Sequence, residues 1–188
     1  MTTFWWVRHG PTHEKAFVGW RDVPADLSDQ EAIDRLAAYL PDDALVISPD
    51  LLRCTATADA ITKNRQRLPH DPELREFNFG DWDGMTFGDV ADQFPTLSRQ
   101  YWENPGDAAP PNGESWNTAE TRVNTAVQRL AHQHPGRNLF VVAHIGVIVT
   151  QIRLAHSLTT QQAIGHKIDN LSVTRIQGTT ADPINHLP

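Results

Sequence analysis

The stretch FWWVRHGPTH, at residues 4–13, decides the fold that the sequence predicts. Its first part is a continuous run of aromatic and β-branched residues, which is typical of a parallel strand buried on both faces. The run stops at Arg8 and His9, where Gly10 and Pro11 break it. Because neighbouring side chains of a regular strand point to opposite faces, Arg8 and His9 can share a pocket only if the strand ends there.

Two further buried strands are predicted, ALVISPD at residues 44–50 and NLFVVAHIG at residues 138–146. Helical patterns fill the segments between and after these strands, and the chain closes on a last predicted strand. The predicted helices are 29–39, 51–65, 86–103 with a break near Pro95, 116–134 and 147–156, and the last strand is 171–176. Ser28 is the predicted N-cap of the first helix, and Glu31 completes a capping box.

Strands that alternate with helices predict an α/β fold, a three-layer α/β/α sandwich with a mostly parallel sheet. We expect one domain over residues 1–188, with a small helical cap inserted at about residues 87–112. In such sheets, ligands bind at the carboxyl ends of the strands. Two strands end on histidines, at His9 and His144, and Arg8 and Arg53 follow or end strands. The topology therefore predicts two histidines and two arginines at one edge.

These residue types indicate phosphoryl chemistry. A guanidinium group binds phosphate oxygens in a bidentate way and keeps its charge. A neutral imidazole is a competent nucleophile, and an acid is then needed for the leaving group. Glu76 is the predicted acid, and Asp81 and Asp83 compete for this role on composition alone.

The bulk composition narrows the function classes. The net charge of −7 argues against a protein that coats nucleic acids or binds anionic membranes, because both need a basic surface. No apolar run approaches the roughly 20 residues of a membrane span. Cys54 is the only cysteine, which fits a reducing compartment, and we expect a cytoplasmic protein. The sequence leaves the oligomeric state open, with a homodimer as one option.

Five motifs in order carry a resemblance to a known family. They are RHG at 8–10, SPDLLRCTATA at 48–58, LREFNFGDWDG at 74–84, PNGES at 111–115 and VVAHIG at 141–146. This series resembles the histidine phosphatase superfamily, in its phosphoglycerate-mutase-like branch. Within that branch, the chain looks most similar to the broad-specificity and α-ribazole phosphatases.

The resemblance implies a role for each residue of the predicted edge. His9 would be the nucleophile that becomes phosphohistidine. Arg8, Arg53 and His144 would bind the phosphoryl group, and His144 would also stabilise charge in the transition state. Glu76 would donate the proton and then activate water. The resemblance implies no metal and no cofactor.

Three further positions are predicted to bind substrate. Thr12 stands where the family has a Ser or Thr after RHG, so its hydroxyl or backbone is expected to contact phosphate. Lys15 stands where a phosphate-contacting Asn is usual, and Ile145 where a glycine is common. A lysine can also meet phosphate, although as a flexible point charge.

The predicted function is hydrolysis of a small phosphorylated metabolite, with α-ribazole 5′-phosphate as the candidate substrate. A mutase is the first alternative, but the segment between Glu76 and His144 is too short for the insert of phosphoglycerate mutases. Removal of phosphate from phosphohistidine proteins, or mere binding of such partners, is the second. A zinc site at His9 and His13 is disfavoured because Gly10 and Pro11 prevent a helix. Trp82, Trp102 and Trp116 are assigned either to packing or to a pocket for an apolar leaving group.

Overall fold

A computed structural model describes all residues of the chain, 1–188. The strands are β1 (Thr3–Arg8), β2 (Leu45–Ile47), β3 (Asn138–Ala143), β4 (Val173–Gln177) and β5 (Thr180–Ala181). The helices are α1 (Gln30–Tyr39), α2 (Leu52–Thr62), α3 (Phe87–Gln93), α4 (Pro95–Glu103), α5 (Trp116–Gln133), α6 (Ile145–His156) and α7 (Thr160–Ile164). Two short 3₁₀ turns, Pro72–Leu74 and Gly80–Trp82, lie in the segment between α2 and α3.

The strands form one five-stranded sheet in the order β2-β3-β1-β4-β5. The first three strands of that order are parallel, whereas β4 and β5 are antiparallel to their neighbours. Each face of the sheet carries its own hydrophobic cluster. Phe4 and Trp6 of β1 pack with α5 and α6, and Trp5 and Val7 pack with α1 and α2. The predicted three-layer α/β/α sandwich is therefore confirmed.

The start of α1 differs by one residue from the prediction. Asp29 is the N-cap, and its side chain accepts a hydrogen bond from the Ala32 amide at 3.0 Å. Ser28 lies outside the helix because its own amide donates to Asp26 Oδ1 at 2.9 Å. Both residue types cap helices, so the sequence pattern cannot separate adjacent candidates.

The helix predicted for residues 51–65 ends at Thr62, because Lys63 adopts a positive φ of 50°. Arg65 then turns back toward α1. Its guanidinium donates to the carbonyl oxygens of Ala37 at 2.9 Å and Leu40 at 2.6 Å. These carbonyl oxygens lie at the C-terminal end of α1, where they lack helical partners. Arg65 thus ties the ends of α1 and α2 together.

The segment predicted as a cap contains α3, α4 and a turn-rich loop. The two helices separate at Phe94 and Pro95, as predicted. The two helices enclose a small third hydrophobic cluster together with Phe17, which precedes α1, and Trp82 of the second 3₁₀ turn. The buried members of this cluster are Phe17, Trp82, Val90 and Tyr101. The function of residues 87–112 as a cap stays a prediction.

None of the helices of the structure combines the length and the hydropathy that a membrane crossing requires.

Candidate active site

The pairing of β1 with β3 brings the two predicted histidines together. Arg8 pairs with Ala143 in the parallel register, so His9 and His144 follow at the carboxyl ends of adjacent strands. The His9 amide donates to the Ala143 carbonyl oxygen at 3.0 Å. The centroids of the two imidazole rings are 5.2 Å apart, and the ring planes cross at 64°.

His9 is held in the form that a nucleophile needs. Its Nδ1 lies 2.7 Å from the Gly10 carbonyl oxygen, which can only accept, so Nδ1 carries the proton and Nε2 keeps its lone pair. Burial lowers the pKa of His9 to about 3, and the charges of Arg53 and Arg8 act in the same direction. The ring is therefore neutral at physiological pH.

The two arginines are fixed by backbone carbonyl oxygens. Arg53, almost fully buried, donates to Gly19 O at 2.6 Å and Arg21 O at 3.1 Å. It lies in the first turn of α2, whose Leu52 amide donates to Asp22 Oδ1 at 2.7 Å. Arg8, at the end of β1, donates through Nη1 to the Ile168 carbonyl oxygen at 2.6 Å, and its Nε has no partner. Both guanidinium groups keep donors for a further anion.

Glu76 lies in an irregular segment and reaches the first turn of α6. Its Oε1 accepts from the Phe77 amide at 3.0 Å, and its Oε2 accepts from the Gly146 amide at 3.2 Å. Burial raises the pKa of Glu76 against these two bonds and the charges of Arg53 and Arg8. Gly146 is required here, because a Cβ atom at that position would lie 2.4 Å from Glu76 Oε1.

The competing acids have other partners. Asp81 accepts from the Asn112 side-chain amide at 3.0 Å. Asp83 accepts from the amides of Gly19 at 3.1 Å and Arg21 at 2.9 Å. Neither carboxylate lines the cavity that opens over His9, Arg8, Arg53 and Glu76. The geometry therefore favours Glu76 among the three acids that the sequence left open.

His144 is fully buried beneath His9 at the start of α6. Burial holds the pKa of its imidazole well below the usual value, and Arg53 adds to this effect. Its Nε2 lies 3.4 Å from Cys54 Sγ. Burial raises the pKa of that thiol, so Cys54 is a neutral packing partner of His144.

A cavity of about 340 Å³ opens over these groups. Arg8, His9, Arg53 and Glu76 form its polar floor, and 12 of its 20 lining residues are hydrophobic. Seven aromatic side chains line its wall: Phe17, Phe77, Phe79, Phe87, Tyr101, Trp102 and Trp116. The site thus joins a small cationic floor to a large apolar wall, which suits a phosphate attached to an apolar group.

The profile of the histidine phosphatase superfamily (branch 1) matches residues 4–185. The chain belongs to the histidine phosphatase superfamily. The family resemblance found in the five sequence motifs is thereby confirmed.

Relatives within the superfamily carry several names. Phosphoglycerate mutase-like protein 4 of Arabidopsis thaliana is 32% identical over 76% of the chain, and the adenosylcobalamin/α-ribazole phosphatase of Salmonella typhimurium is 28% identical over 85% of it. The chain covers 66% of the first protein, 81% of the second, and 36% of three mycobacterial relatives that are 33% identical. The solved structure of Bacillus stearothermophilus YhfR aligns with a TM-score of 0.86 at 25% identity, covering 98% of this chain and 96% of that one.

The structure brings most of the predicted superfamily site together. His9, Arg8, Arg53 and Glu76 line one cavity, and His144 lies directly beneath it. Their chemical roles stay predictions, as does the phosphoryl group that they are expected to bind.

Two of the three further residues that were predicted to bind substrate line the cavity. Thr12 and Ile145 line the cavity, whereas Lys15 is exposed and lies outside the lining. Glu14 lines the cavity instead and pairs with Arg21 at 2.8 Å. Among the tryptophans, Trp102 and Trp116 belong to the cavity wall, and Trp82 is buried beneath it.

No three His, Cys, Asp or Glu side chains are arranged around a common point as metal ligands. His13, which the sequence spacing paired with His9, points away from that ring and contacts Asp26 Oδ2 at 2.8 Å. It is exposed, whereas His9 is buried.

The depressed pKa of His9 predicts an acid-labile native state. Below pH 6.5 the unfolded chain binds a proton at His9 that the folded chain does not bind until about pH 3. The contribution of His9 to the free energy of unfolding is therefore fully present above pH 6.5 and is lost as the pH decreases toward 3. Between pH 7.5 and pH 5 we expect wild type to lose about 2 kcal/mol more unfolding free energy than His9→Gln. Urea titrations of both proteins at the two pH values measure this difference, and equal losses would contradict it.

Proposed function

We propose that this protein is a phosphatase that hydrolyses phosphomonoesters through a phosphohistidine at His9, without a metal ion. One observation carries the proposal: a neutral imidazole with a free Nε2 shares a cavity with two arginines and a buried glutamate of raised pKa. Nucleophile, anion-binding groups and acid are the set that phosphoryl transfer requires. The phosphatase names of several relatives support the same class of reaction.

The proposed reaction has two steps. In the first, His9 Nε2 attacks phosphorus, the P–N bond forms, and the ester P–O bond breaks. Arg8 and Arg53 offset the charge on the phosphoryl oxygens, and Glu76 gives its proton to the leaving oxygen. In the second step, a water oxygen attacks phosphorus and the P–N bond breaks. The water proton passes to Glu76, which restores the acid as inorganic phosphate forms.

The cavity wall favours an uncharged, ring-bearing leaving group. Aromatic side chains stack on flat rings and bury large apolar areas. α-Ribazole 5′-phosphate carries such a group, and relatives named adenosylcobalamin/α-ribazole phosphatases support this choice. Arg8 and Arg53 are the only arginine or lysine residues of the lining, and both are directed to the phosphoryl group in our proposal. The carboxylate of a phosphoglycerate would thus lack a cation, which weighs against the mutase alternative.

A panel of esters assayed with EDTA present tests the proposal. It contains α-ribazole 5′-phosphate, phenyl phosphate, 3-phosphoglycerate and glucosyl-3-phosphoglycerate. We expect hydrolysis that survives EDTA, with the two ring-bearing, carboxylate-free esters preferred. Loss of activity with EDTA would overturn the metal-independent mechanism. Transfer of label between phosphoglycerates, in place of phosphate release, would establish the mutase alternative.

Glu14 is expected to set part of this selectivity. Glu14 lines the cavity, and its carboxylate is expected to repel a second anionic group on the substrate. We expect Glu14→Gln to raise kcat/KM for 3-phosphoglycerate relative to phenyl phosphate by about three- to tenfold. The effect is no larger because the Glu14–Arg21 pair is partly exposed and its charges are screened by solvent. Glu31→Gln, an exposed position on α1, is the matched control. An unchanged ratio for Glu14→Gln would show that this carboxylate does not sense the leaving group.

A further inference from the structure

The proposed acid lies on a segment that has no regular structure of its own. Between the 3₁₀ turns Pro72–Leu74 and Gly80–Trp82, the backbone around Glu76 belongs to no helix or strand. A proton donor must nevertheless be held within a fraction of an ångström, because a misplacement of about 1 Å can cost roughly 100-fold in rate. Side chains from other parts of the chain must therefore fix this segment.

Arg122 of α5 supplies most of that support. Its guanidinium donates to three carbonyl oxygens of the segment: Glu73 O at 2.7 Å, Arg75 O at 3.1 Å and Glu76 O at 3.2 Å. Trp20 adds a fourth bond, because its indole Nε1 donates to the Glu76 carbonyl oxygen at 2.7 Å. The backbone of the acid is thus bonded from two directions by side chains that are distant in sequence.

Glu114 holds Arg122 in place and extends the support. Its two carboxylate oxygens accept from Nε and Nη2 of Arg122, each at 2.8 Å, a bidentate pair with both side chains largely buried. Glu114 Oε2 also accepts from the Asn78 amide at 2.9 Å, and the Glu114 amide donates to the Asn78 carbonyl oxygen at 2.8 Å. The guanidinium of Arg122 lies 5.9 Å from the Trp20 ring centroid.

We propose that Arg122 and Glu114, with Trp20, form a clamp that positions Glu76 for proton transfer to the leaving group. This inference rests on the proposed function, in which Glu76 is the acid. None of the three residues lines the cavity, so they are positioning residues and not catalytic ones. The rigid helix α5 carries Arg122, and Glu114 directly precedes the helix N-cap, Ser115. The clamp therefore connects the backbone of Glu76 to α5, a rigid helix packed on the core of the protein.

The dependence of rate on the leaving group separates positioning from general stability. p-Nitrophenolate is weakly basic and departs with little help from an acid, whereas an alkoxide needs the proton. We expect Arg122→Met to reduce kcat/KM for an alkyl phosphate by about 10- to 100-fold, and to change that for p-nitrophenyl phosphate by less than about threefold. Glu114→Gln keeps one acceptor oxygen and is expected to show a smaller selective loss. Arg122→Lys, with one ammonium group, is expected to lie between wild type and Arg122→Met.

Arg129→Met is the matched control. Arg129 lies on α5 seven residues after Arg122 and also pairs with a loop carboxylate, that of Asp71. This variant is expected to leave the ratio of the two esters unchanged. Thermal unfolding of each variant shows whether it is folded under the assay conditions.

Each outcome has one meaning. A parallel fall for both esters in Arg122→Met and Glu114→Gln would overturn the clamp, because a structural role alone moves both. If Glu76→Gln shows the selective loss and the two clamp variants do not, the clamp fails and the proposed acid stands. If Glu76→Gln itself shows no selective loss, the proposed acid fails, and the clamp fails with it.

Discussion

His9→Ala is expected to lower the hydrolysis of every phosphate ester by at least about 1000-fold, because His9 is the one histidine of the cavity lining and no other imidazole there can form the P–N bond. His144 is a poor substitute, since it is fully buried beneath His9 and its Nε2 contacts Cys54. The measurement is steady-state release of phosphate from phenyl phosphate with EDTA present. Rapid acid-free quenching of wild type with labelled substrate should also trap a phosphoryl group on His9.

His13→Ala is the matched histidine control. His13 follows four residues later, but it is exposed and contacts Asp26 outside the cavity. We expect its rate to stay within about twofold of wild type, as for most exposed substitutions away from a site. A His9→Ala protein that still turns over, or a label trapped on another residue, would contradict the proposed nucleophile.

The location of the site could be predicted from the sequence because it depends on strand order. Arg8, His9 and His144 end two apolar runs, and parallel neighbours bring such ends to one edge. The antiparallel pairing of β4 with β1 could not be predicted, since an apolar run has the same pattern in either direction. The exact N-cap of α1 was also wrong, because Ser28 and Asp29 are equally able to cap.

The supporting residues could not be predicted, for a different physical reason. Arg122 contacts a segment 46 residues earlier in the chain, and Trp20 one that lies 56 residues later. Neither spacing belongs to a helix or strand period, so only the folded chain shows these bonds. The same holds for the loop after Pro11, where Glu14 and not Lys15 faces the cavity. Without a period, the sequence does not indicate which side chain points inward.

The acid should reveal itself through the ester that is hydrolysed. Glu76→Gln is expected to lower kcat/KM for an alkyl phosphate by about 100- to 10,000-fold, the usual contribution of a general acid. The decrease in kcat/KM for p-nitrophenyl phosphate should be far smaller, since that leaving group needs little protonation. Water attack on the phosphohistidine still needs Glu76 as base. The variant should therefore release a burst of p-nitrophenol, one per site, and then turn over slowly.

The pH profile gives the second signature of Glu76. An acid works in its protonated form, so activity on the alkyl ester is present below the pKa of Glu76 and falls as the pH rises through it. Burial raises that pKa above the ordinary 4.5, which extends the active range upward. Because ionisation of the substrate affects both proteins alike, the ratio of wild type to Glu76→Gln isolates this group. That ratio should be high at low pH and decrease as the pH rises. A ratio independent of pH would remove Glu76 as the acid, even if the variant were slow, since a lost packing or hydrogen-bonding role carries no such limb.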